Sequence, residues 1–218
     1  RKDRLAEVKS EIKAISGKLV RILALDLTDD SDIQFYKKLL ERQDPSIRVL
    51  VNAAGYGIAG HFENMTEDDV TGMIDLNCRA LAAITHISLP YMAGPSNIIN
   101  LASSAAFLPQ PSFAIYAASK SMVLSFSRAL NRELEGRGIT VTAVCPGPVK
   151  TEFFDIAQKY TKSKPYKMVL RANPVNVVKR ALFDAYYLSD ISVYSPLMKA
   201  FRFVSKYLPH SLLIKFIK

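Results

Sequence analysis

The stretch that decides the fold is Asn97-Ile-Ile-Asn-Leu-Ala-Ser-Ser-Ala-Ala-Phe-Leu-Pro-Gln-Pro-Ser-Phe-Ala-Ile-Tyr-Ala-Ala-Ser-Lys120. It begins with a short apolar run that is typical of a buried strand, and Ser103 follows where this strand ends. A loop with two prolines leads into a helical pattern that starts near Ala114. Tyr116 and Lys120 stand four residues apart in this pattern, so both side chains lie on one face of the helix. The stretch therefore predicts a strand, a loop and a helix, with three polar side chains near the end of the strand.

Apolar runs and helical patterns alternate along the whole chain. The runs that predict strands are residues 19–27, 49–51, 97–101, 140–144 and 191–194. The helical patterns are residues 1–15, 28–42, 66–89, 114–137 and 174–188. This alternation indicates right-handed crossovers and a parallel sheet with helices on both faces. The sequence thus predicts one α/β domain over residues 1–218, a doubly wound parallel sheet of the Rossmann type.

The start of the chain differs from that of a complete doubly wound nucleotide-binding fold. Such a fold opens with a strand and a glycine-rich phosphate turn, whereas this chain opens at Arg1 directly in a helical pattern. We expect no phosphate turn with the spacing G-x-G-x-x-G or G-x-x-x-G-x-G within the 218 residues. Either a first βαβ unit of roughly 30 or more residues is absent from the sequence, or the protein binds no dinucleotide.

Tyr116 and Lys120 are a candidate proton-transfer pair. An unperturbed phenol has a pKa of about 10 and is a poor proton donor or acceptor near neutral pH. A nearby ammonium group favours phenolate, so we expect Lys120 to lower the pKa of Tyr116. Ser103 precedes Tyr116 by thirteen residues and ends a strand at the edge where open α/β sheets bind ligands. Taken alone, the pair is more simply interpreted as a half-buried aromatic and a solvated lysine.

Four further motifs accompany this pair along the chain. They are Asp26-Leu27, Leu50-Val-Asn-Ala-Ala-Gly55, Leu76-Asn77 and Pro146-Gly147-Pro-Val149-Lys-Thr151. With the serine, tyrosine and lysine, they resemble the short-chain dehydrogenase/reductase family, in its classical branch, over residues 26–151. The resemblance implies a Rossmann-type fold whose first βαβ unit, with its glycine-rich turn, precedes Arg1.

The resemblance also implies a role for each of four catalytic residues. Tyr116 is the general acid when a carbonyl is reduced and the base when an alcohol is oxidised. Lys120 lowers the tyrosine pKa and binds the nicotinamide ribose, while Ser103 orients and polarises the substrate oxygen. Asn77 holds a water that links Lys120 to solvent. The implied cofactor contacts are Arg1, Asp26, Leu27, Asn52, Ala53, Gly55, Tyr116, Lys120, Pro146, Gly147, Val149 and Thr151.

The implied activity is hydride transfer between a nicotinamide cofactor and a ketone or secondary alcohol, with carbonyl reduction as the favoured direction. NADP(H) is the favoured cofactor because Arg1 and Lys2 lie near the turn that meets the 2′-phosphate in the family, and NAD(H) is the alternative. The substrate-covering segment, residues 152–172, holds bulky apolar side chains at Phe153, Phe154, Tyr160, Tyr166 and Met168. They indicate an apolar substrate of the 3-oxoacyl or hydroxysteroid type, or they pack on one another.

Several assignments have alternatives. Ser104 stands beside Ser103 and carries the same hydroxyl group. Asp26 is able to cap the helix that follows it instead of contacting a cofactor. Cys145 is interpreted as a small core residue, and none of the three histidines has metal-ligand spacing, so no metal site is predicted. The rival function is a non-catalytic cofactor-binding or membrane-associated protein with this fold.

The charge of the chain is concentrated at one end. The sequence has 29 basic and 20 acidic residues, for a net charge of +9. Residues 194–218 carry five bases and no acid, while the rest is nearly balanced, and no zinc-finger or RNP pattern is present, so nucleic-acid binding is not expected. Residues 196–218 form a basic amphipathic extension that suits a membrane interface, or docking against the sheet or a second subunit.

Location and assembly follow from the remaining features. No apolar run approaches the roughly 20 residues of a membrane-spanning helix. Cys78 and Cys145 lie far apart in apolar surroundings, which indicates a reducing, cytoplasmic location with membrane contact limited to the surface. The expected assembly is a homodimer or homotetramer, and the expected partner is a small carbonyl or alcohol substrate.

Overall fold

A computed structural model describes residues 1–161 and 171–215. Within these ranges four parallel strands form one sheet in the order β1-β2-β3-β4. The strands are β1 (Val49–Asn52), β2 (Ser96–Leu101), β3 (Ile139–Val144) and β4 (Ile191–Ser192). The register pairs Asn52 with Asn100, and Leu101 with Val144. The carboxyl ends of the three longer strands therefore meet at one edge, and the predicted parallel α/β sheet is confirmed.

Helices connect and flank these strands. They are α1 (Lys2–Ser16), α2 (Asp30–Gln43), α3 (Glu67–Ile74), α4 (Leu81–Ser88), α5 (Ala114–Glu133), α6 (Phe153–Ala157), α7 (Pro174–Tyr186), α8 (Pro196–Tyr207) and α9 (His210–Ile214). A π-helical turn, Asp75–Ala80, joins α3 to α4 without a break. Local polar residues set the helix starts. Thr66 accepts a hydrogen bond from the backbone N–H of Asp69, and Asn173 caps α7 just before Pro174.

Neighbouring residues of β2 face opposite helical layers. Ile98 is fully buried and packs with Leu130 of α5. Ile99 points the other way and packs with Val177 and Ala181 of α7. Because side chains alternate across a strand, each face of the sheet needs its own cover, and α5 and α7 supply it.

Three predicted elements differ from the structure. Residues 19–27 form no strand, because their backbone finds no pairing partner among the described residues. The predicted helix 66–89 contains the π turn between α3 and α4, and the predicted strand 191–194 is reduced to the two residues of β4. Each difference depends on contacts with distant parts of the chain, which local periodicity does not report.

The first helix is attached mainly by charge. α1 buries none of its side chains, and Arg1 and Arg4 both bind the carboxylate of Glu152, at 2.7 and 2.9 Å. None of the helices in the described ranges is both long and apolar enough to cross a bilayer.

Candidate active site

Ser103 lies just beyond the carboxyl end of β2. Its Oγ accepts a hydrogen bond from the backbone N–H of Ala105 at 3.1 Å and so caps a short 3-10 turn. The neighbouring Ser104 donates its backbone N–H to the carbonyl of Pro146 at 2.8 Å, which joins the loop after β2 to the loop after β3. Of the two serines, it is the Ser103 side chain that interacts with the phenol of Tyr116.

Tyr116 and Lys120 lie on the buried face of α5. Tyr116 is 7% exposed and Lys120 is 4% exposed. The Nζ of Lys120 donates a hydrogen bond to the carbonyl of Leu101 at 2.7 Å and lies 5.8 Å from the centroid of the Tyr116 ring. The predicted helix spacing therefore brings tyrosine, lysine and serine together at the end of β2.

Burial is the largest cause of the pKa shifts of Tyr116 and Lys120. It raises the pKa of Tyr116 to about 12, while a side-chain hydrogen bond with Ser103 acts in the opposite direction. Burial also lowers the pKa of Lys120 to about 8. The net shift of the tyrosine pKa is therefore upward, opposite in direction to the lowering expected from Lys120, because desolvation of the phenol is its largest cause. Tyr116 thus keeps its proton at neutral pH.

Aromatic side chains and a glycine hold the Tyr116 ring in place. Phe113 stacks on it with ring centroids 4.3 Å apart, and Phe153 of α6 lies 5.3 Å away in a tilted arrangement. A Cβ at Gly57 would lie 2.5 Å from Cδ2 of Tyr116, so no larger residue fits there unless the ring moves. The sequence reasoning did not identify Gly57 or Phe113, since neither belongs to a spacing that it tested.

Asn77 lies in the π turn and is 1% exposed. Its amide donates to the carbonyl of Tyr56 at 2.8 Å and to Oγ of Ser119 at 3.0 Å, and its Oδ1 accepts from the N–H of Tyr56 at 3.0 Å. Both amide donors are used within the protein, so the side chain fixes the loop after β1. A water between Asn77 and Lys120, as expected from the sequence, would have the second lone pair of Oδ1 as its side-chain partner, since Tyr56 uses only the first.

A polar network that the sequence reasoning missed ties β1 and β2 to the helices beneath them. Asn52 donates to Oδ1 of Asn100 at 2.7 Å and to Oγ1 of Thr85 at 2.9 Å. Asn100 is fully buried and donates to Oγ of Ser127 at 2.9 Å. The amide donors of Asn52 are therefore occupied by the fold, which leaves its side-chain oxygen and its backbone for any ligand contact. An asparagine inside an apolar strand run was the available signal.

The loop before α2 is organised by acidic side chains. Asp26 accepts hydrogen bonds from the backbone N–H and the hydroxyl of Thr28, at 2.9 and 2.7 Å, and these hold the pKa of Asp26 below its usual value. The helix cap is Asp29, which accepts from the N–H of Ser31, so the alternative that Asp26 caps α2 is wrong.

Arg79 of the π turn fastens this loop to the site. Its guanidinium donates to the carbonyl of Thr28 and to the carboxylate of Asp30, both at 2.5 Å, and to Asp75 at 3.1 Å. The loop with Asp26 and the turn with Asn77 are thus joined by one side chain. Arg79 was not among the predicted site residues.

The remaining predicted contacts surround the same edge of the sheet. Ala53 and Gly55 follow β1 in an exposed loop, and Pro146, Gly147, Val149 and Thr151 follow β3. Arg1 reaches the end of the loop after β3 through its ion pair with Glu152, the residue next to Thr151. A Cβ at Gly55 would lie 2.7 Å from Oδ1 of Asn77 and 3.3 Å from Nζ of Lys120. Open backbone, a carboxylate and an ammonium at this edge fit the ribose and amide groups of a dinucleotide.

The glycines after β1 correct one expectation about the sequence. Gly55, Gly57 and Gly60 do have the spacing G-x-G-x-x-G, which the sequence reasoning overlooked. In the structure this segment does not open a helix, since α3 begins only at Glu67. A Cβ at Gly60 would lie 2.8 Å from Cβ of Tyr160, so these glycines allow close packing of side chains in the site.

The described part of residues 152–172, which the sequence analysis predicts to cover the substrate, lies over the loop after β1. The N–H of Ala59 donates to the carbonyl of Ala157 at 2.8 Å, and Lys159 and Tyr160 both bind Asp69 at 2.7 Å. The ends of the segment meet in a parallel bridge between Val149 and Ala172. Phe153 and Phe154 pack edge to face, 5.5 Å apart. Tyr166 and Met168, which were predicted for this surface, lie outside the described residues.

Comparisons with known proteins agree with this geometry. A family model described as short chain dehydrogenase matches residues 1–161. Sulfoacetaldehyde reductase 2 of Chromohalobacter salexigens is 35% identical over 158 residues, which are 70% of this chain and 62% of that protein. An uncharacterized oxidoreductase of Schizosaccharomyces pombe is 30% identical over 147 residues, which are 66% of this chain and 50% of that protein. The chain thus spans between half and about three fifths of the length of these relatives.

Solved structures show the same fold. A short-chain dehydrogenase from Sphingobium yanoikuyae, in complex with NADPH, has a TM-score of 0.81 and 28% identity, covering 99% of this chain and 83% of that chain. A short chain dehydrogenase/reductase from Burkholderia phymatum, in complex with NAD, has a TM-score of 0.79 and 21% identity, covering 93% and 80%.

Proposed function

Because the chain belongs to the short-chain dehydrogenase/reductase family, we propose that it transfers a hydride between a nicotinamide cofactor and a carbonyl compound or secondary alcohol. The observation that carries the proposal is the buried cluster of Ser103, Tyr116 and Lys120 at the carboxyl edge of the sheet. Reduction is the favoured direction. Burial raises the pKa of Tyr116 to about 12, so the phenol holds its proton at neutral pH and is a weak acid, but a developing alkoxide is a stronger base than the phenolate and takes this proton.

Each polar group in the cluster has a distinct role in this proposal. The Oγ of Ser103 accepts from the N–H of Ala105, so its own proton is available for the phenol or the substrate oxygen. Lys120 uses one of its three ammonium donors on Leu101 and keeps the others for the ribose and for Tyr116. Asn77 is a positioning residue that holds Tyr56 and Ser119 beside this pair.

The cofactor, when bound, supplies or accepts the hydride. The residues proposed to hold it are Arg1, Asp26, Leu27, Asn52, Ala53, Gly55, Tyr116, Lys120, Pro146, Gly147, Val149 and Thr151. NADP(H) is favoured because the Sphingobium yanoikuyae relative binds NADPH and because Arg1 and Lys2 are basic. Since Glu152 already pairs with Arg1, a 2′-phosphate would compete with that carboxylate, and NAD(H) is the alternative.

An apolar carbonyl substrate is proposed from the surroundings of the reactive phenol. Ile58 and Met73 are buried in one cluster with Tyr116, and Phe113 and Phe153 pack against it. Such a wall favours the hydrocarbon part of a 3-oxoacyl or hydroxysteroid-like compound over water, and residues 152–172 are proposed to cover it. Named relatives include a sulfoacetaldehyde reductase, so small anionic aldehydes belong in the same substrate panel.

We also propose that residues 1–218 belong to one Rossmann-type domain whose glycine-rich first unit precedes Arg1. Support comes from β1, because Val49 and Val51 leave apolar side chains exposed where a further layer of such a fold packs.

A homodimer or homotetramer is proposed from the exposed apolar face of α7. A cytoplasmic location, with peripheral membrane contact through residues 196–218, completes the proposal.

The test is a titration of the full-length protein with NADPH and with NADH, followed by turnover with a panel of ketones and aldehydes. Tyr116→Phe is the control, since it removes the hydroxyl and keeps the ring. Saturable binding, together with NADPH oxidation that Tyr116→Phe abolishes, supports the enzyme. Binding without turnover of any compound favours the non-catalytic alternative, and failure to bind either cofactor contradicts both.

A further inference from the structure

The extension after β4 has one face that docks on the fold. Met198 and Phe201 of α8 pack against the core cluster that contains Phe107, and the Phe107 and Phe201 rings lie 6.4 Å apart. Met198 also fills the space beside Gly147, where a Cβ would lie 2.8 Å from its Sδ. This inner face holds the helix against the loops after β2 and β3.

The outer face of α8 is apolar and uncovered in the structure. Phe203 and Tyr207 are 64% and 62% exposed, and their ring centroids lie 4.6 Å apart. These two rings belong to a stripe of exposed apolar side chains. The stripe consists of Leu197, Phe203, Val204 and Tyr207 on α8, Leu208 next to it, and Leu212 on α9. On a helix of 3.6 residues per turn, these positions of α8 fall within one third of its circumference. The rest of the circumference is the docked face and a row of bases.

The basic side chains border this stripe. Lys199 and Lys206 are two turns apart on the exposed side of α8, and Lys215 follows α9. Residues 191–215 contain no acidic side chain. Among the described residues, none of these three lysines takes part in an ion pair. The surface therefore joins exposed aromatic and aliphatic groups to unneutralised positive charge.

This combination selects one class of partner. We propose that the outer face of α8 and α9 binds the surface of anionic phospholipid bilayers, with the apolar stripe between the acyl chains and the lysines at the phosphates. A second copy of the chain fits less well. A two-fold contact through this face with the two α8 helices antiparallel would bring the Lys199 and Lys206 rows of both subunits to the same side, and residues 191–215 supply no acid to neutralise them.

Vesicle co-sedimentation of the full chain tests the proposal. Vesicles of phosphatidylcholine with 30% phosphatidylglycerol should bind the protein, and pure phosphatidylcholine vesicles should bind it far less. The double variant Lys199→Gln/Lys206→Gln should weaken binding by about fivefold per base removed, and 0.5 M salt should have a similar effect. Phe203→Ser/Tyr207→Ser should abolish binding even at low salt.

A control uses α2, which also exposes an aromatic side chain, Phe35. Phe35→Ser removes it from a different face and should leave vesicle binding unchanged. Thermal melting and size by light scattering accompany every variant. The proposal is overturned if both lipid compositions bind equally, if neither binds at low salt, or if Phe35→Ser loses as much binding as Phe203→Ser/Tyr207→Ser. It is also overturned if Phe203→Ser/Tyr207→Ser converts an oligomer to a monomer, because the face then belongs to a second copy.

Discussion

The proton-transfer side of the site and its proposed cofactor side differ in how the fold holds them. Asn77, Tyr116 and Lys120 are almost completely buried, and each is fixed by hydrogen bonds or ring contacts. Asp26 and Thr151 are exposed and lie on loops. Packing therefore determines the geometry and the pKa values of the proton-transfer residues, whereas loop contacts determine the geometry of the proposed cofactor side. Substitutions on the buried side should therefore reduce activity or stability more than substitutions on the exposed side.

Tyr116→Phe has the largest expected effect. It removes the proton donor and keeps the ring that Phe113 and Phe153 pack against, so kcat should fall by about 100-fold to 10 000-fold while the melting temperature and NADPH affinity stay near those of the wild type. Steady-state kinetics, melting and a fluorescence titration measure the three quantities. Activity within tenfold of the wild type would assign the proton transfer to another group.

Lys120→Met tests the burial of the ammonium through pH. The pKa of Lys120 is about 8 in the folded protein, whereas the ordinary value for a solvated lysine is 10.5, so between these values the unfolded chain binds the extra proton. The free energy of unfolding of the wild type should therefore rise by up to about 3 kcal/mol relative to Lys120→Met as pH increases through this window.

Urea unfolding at pH 7, 8, 9 and 10 measures this difference. Readings above pH 10 are avoided, because the raised pKa of Tyr116 acts in the opposite sense there: the folded phenol keeps its proton while the unfolded one loses it. A constant gap between the two proteins from pH 7 to 10 would mean that Lys120 is solvated in the folded state.

Asn100→Ala tests the buried network between the two sides. It leaves the donors of Asn52 without one of their partners and removes the donor to Ser127, so the free energy of unfolding should fall by about 2 kcal/mol. Asn97→Ala is the matched control in the same strand, since Oδ1 of Asn97 is buried and makes no hydrogen bond within the described residues. It should cost less than about half as much. Equal losses would mean that the network contributes no more than ordinary packing.

Arg79→Ala has the smallest expected effect and acts on the exposed side. It releases Thr28 and Asp30, so NADPH affinity should fall about tenfold with little change in kcat or melting temperature. Arg128→Ala breaks a comparable exposed pair with Asp190 and serves as the control. If both variants bind NADPH with the same affinity, the contacts of Arg79 with this loop do not contribute to cofactor binding.

The same division explains what the sequence could predict. The strands of a parallel sheet have apolar runs, so β1, β2 and β3 were found, although β1 exposes Val49 and Val51. The four-residue spacing of Tyr116 and Lys120 is fixed by helix geometry. Residues 19–27 were wrongly predicted as a strand, because pairing depends on a distant partner and not on local composition.

The protonation states of the site residues could not be predicted from the sequence. The pKa of Tyr116 follows from burial by Phe113, Phe153 and Gly57, which come from three separate parts of the chain. The asparagine network likewise requires the register that sets Asn52 beside Asn100. Both depend on tertiary contacts, so motif spacing could locate the groups but not assign their charges.

The bridge between Val149 and Ala172 gives the covering segment a narrow neck. Two backbone hydrogen bonds, at 3.0 and 2.8 Å, close it independently of the residues between. Loop-closure entropy grows slowly with length, by about 0.6 kcal/mol for each doubling. Insertions after Tyr160 should therefore leave the sheet and the proton-transfer residues in place, whereas an exchange of Phe153 would also change the packing around the ring of Tyr116.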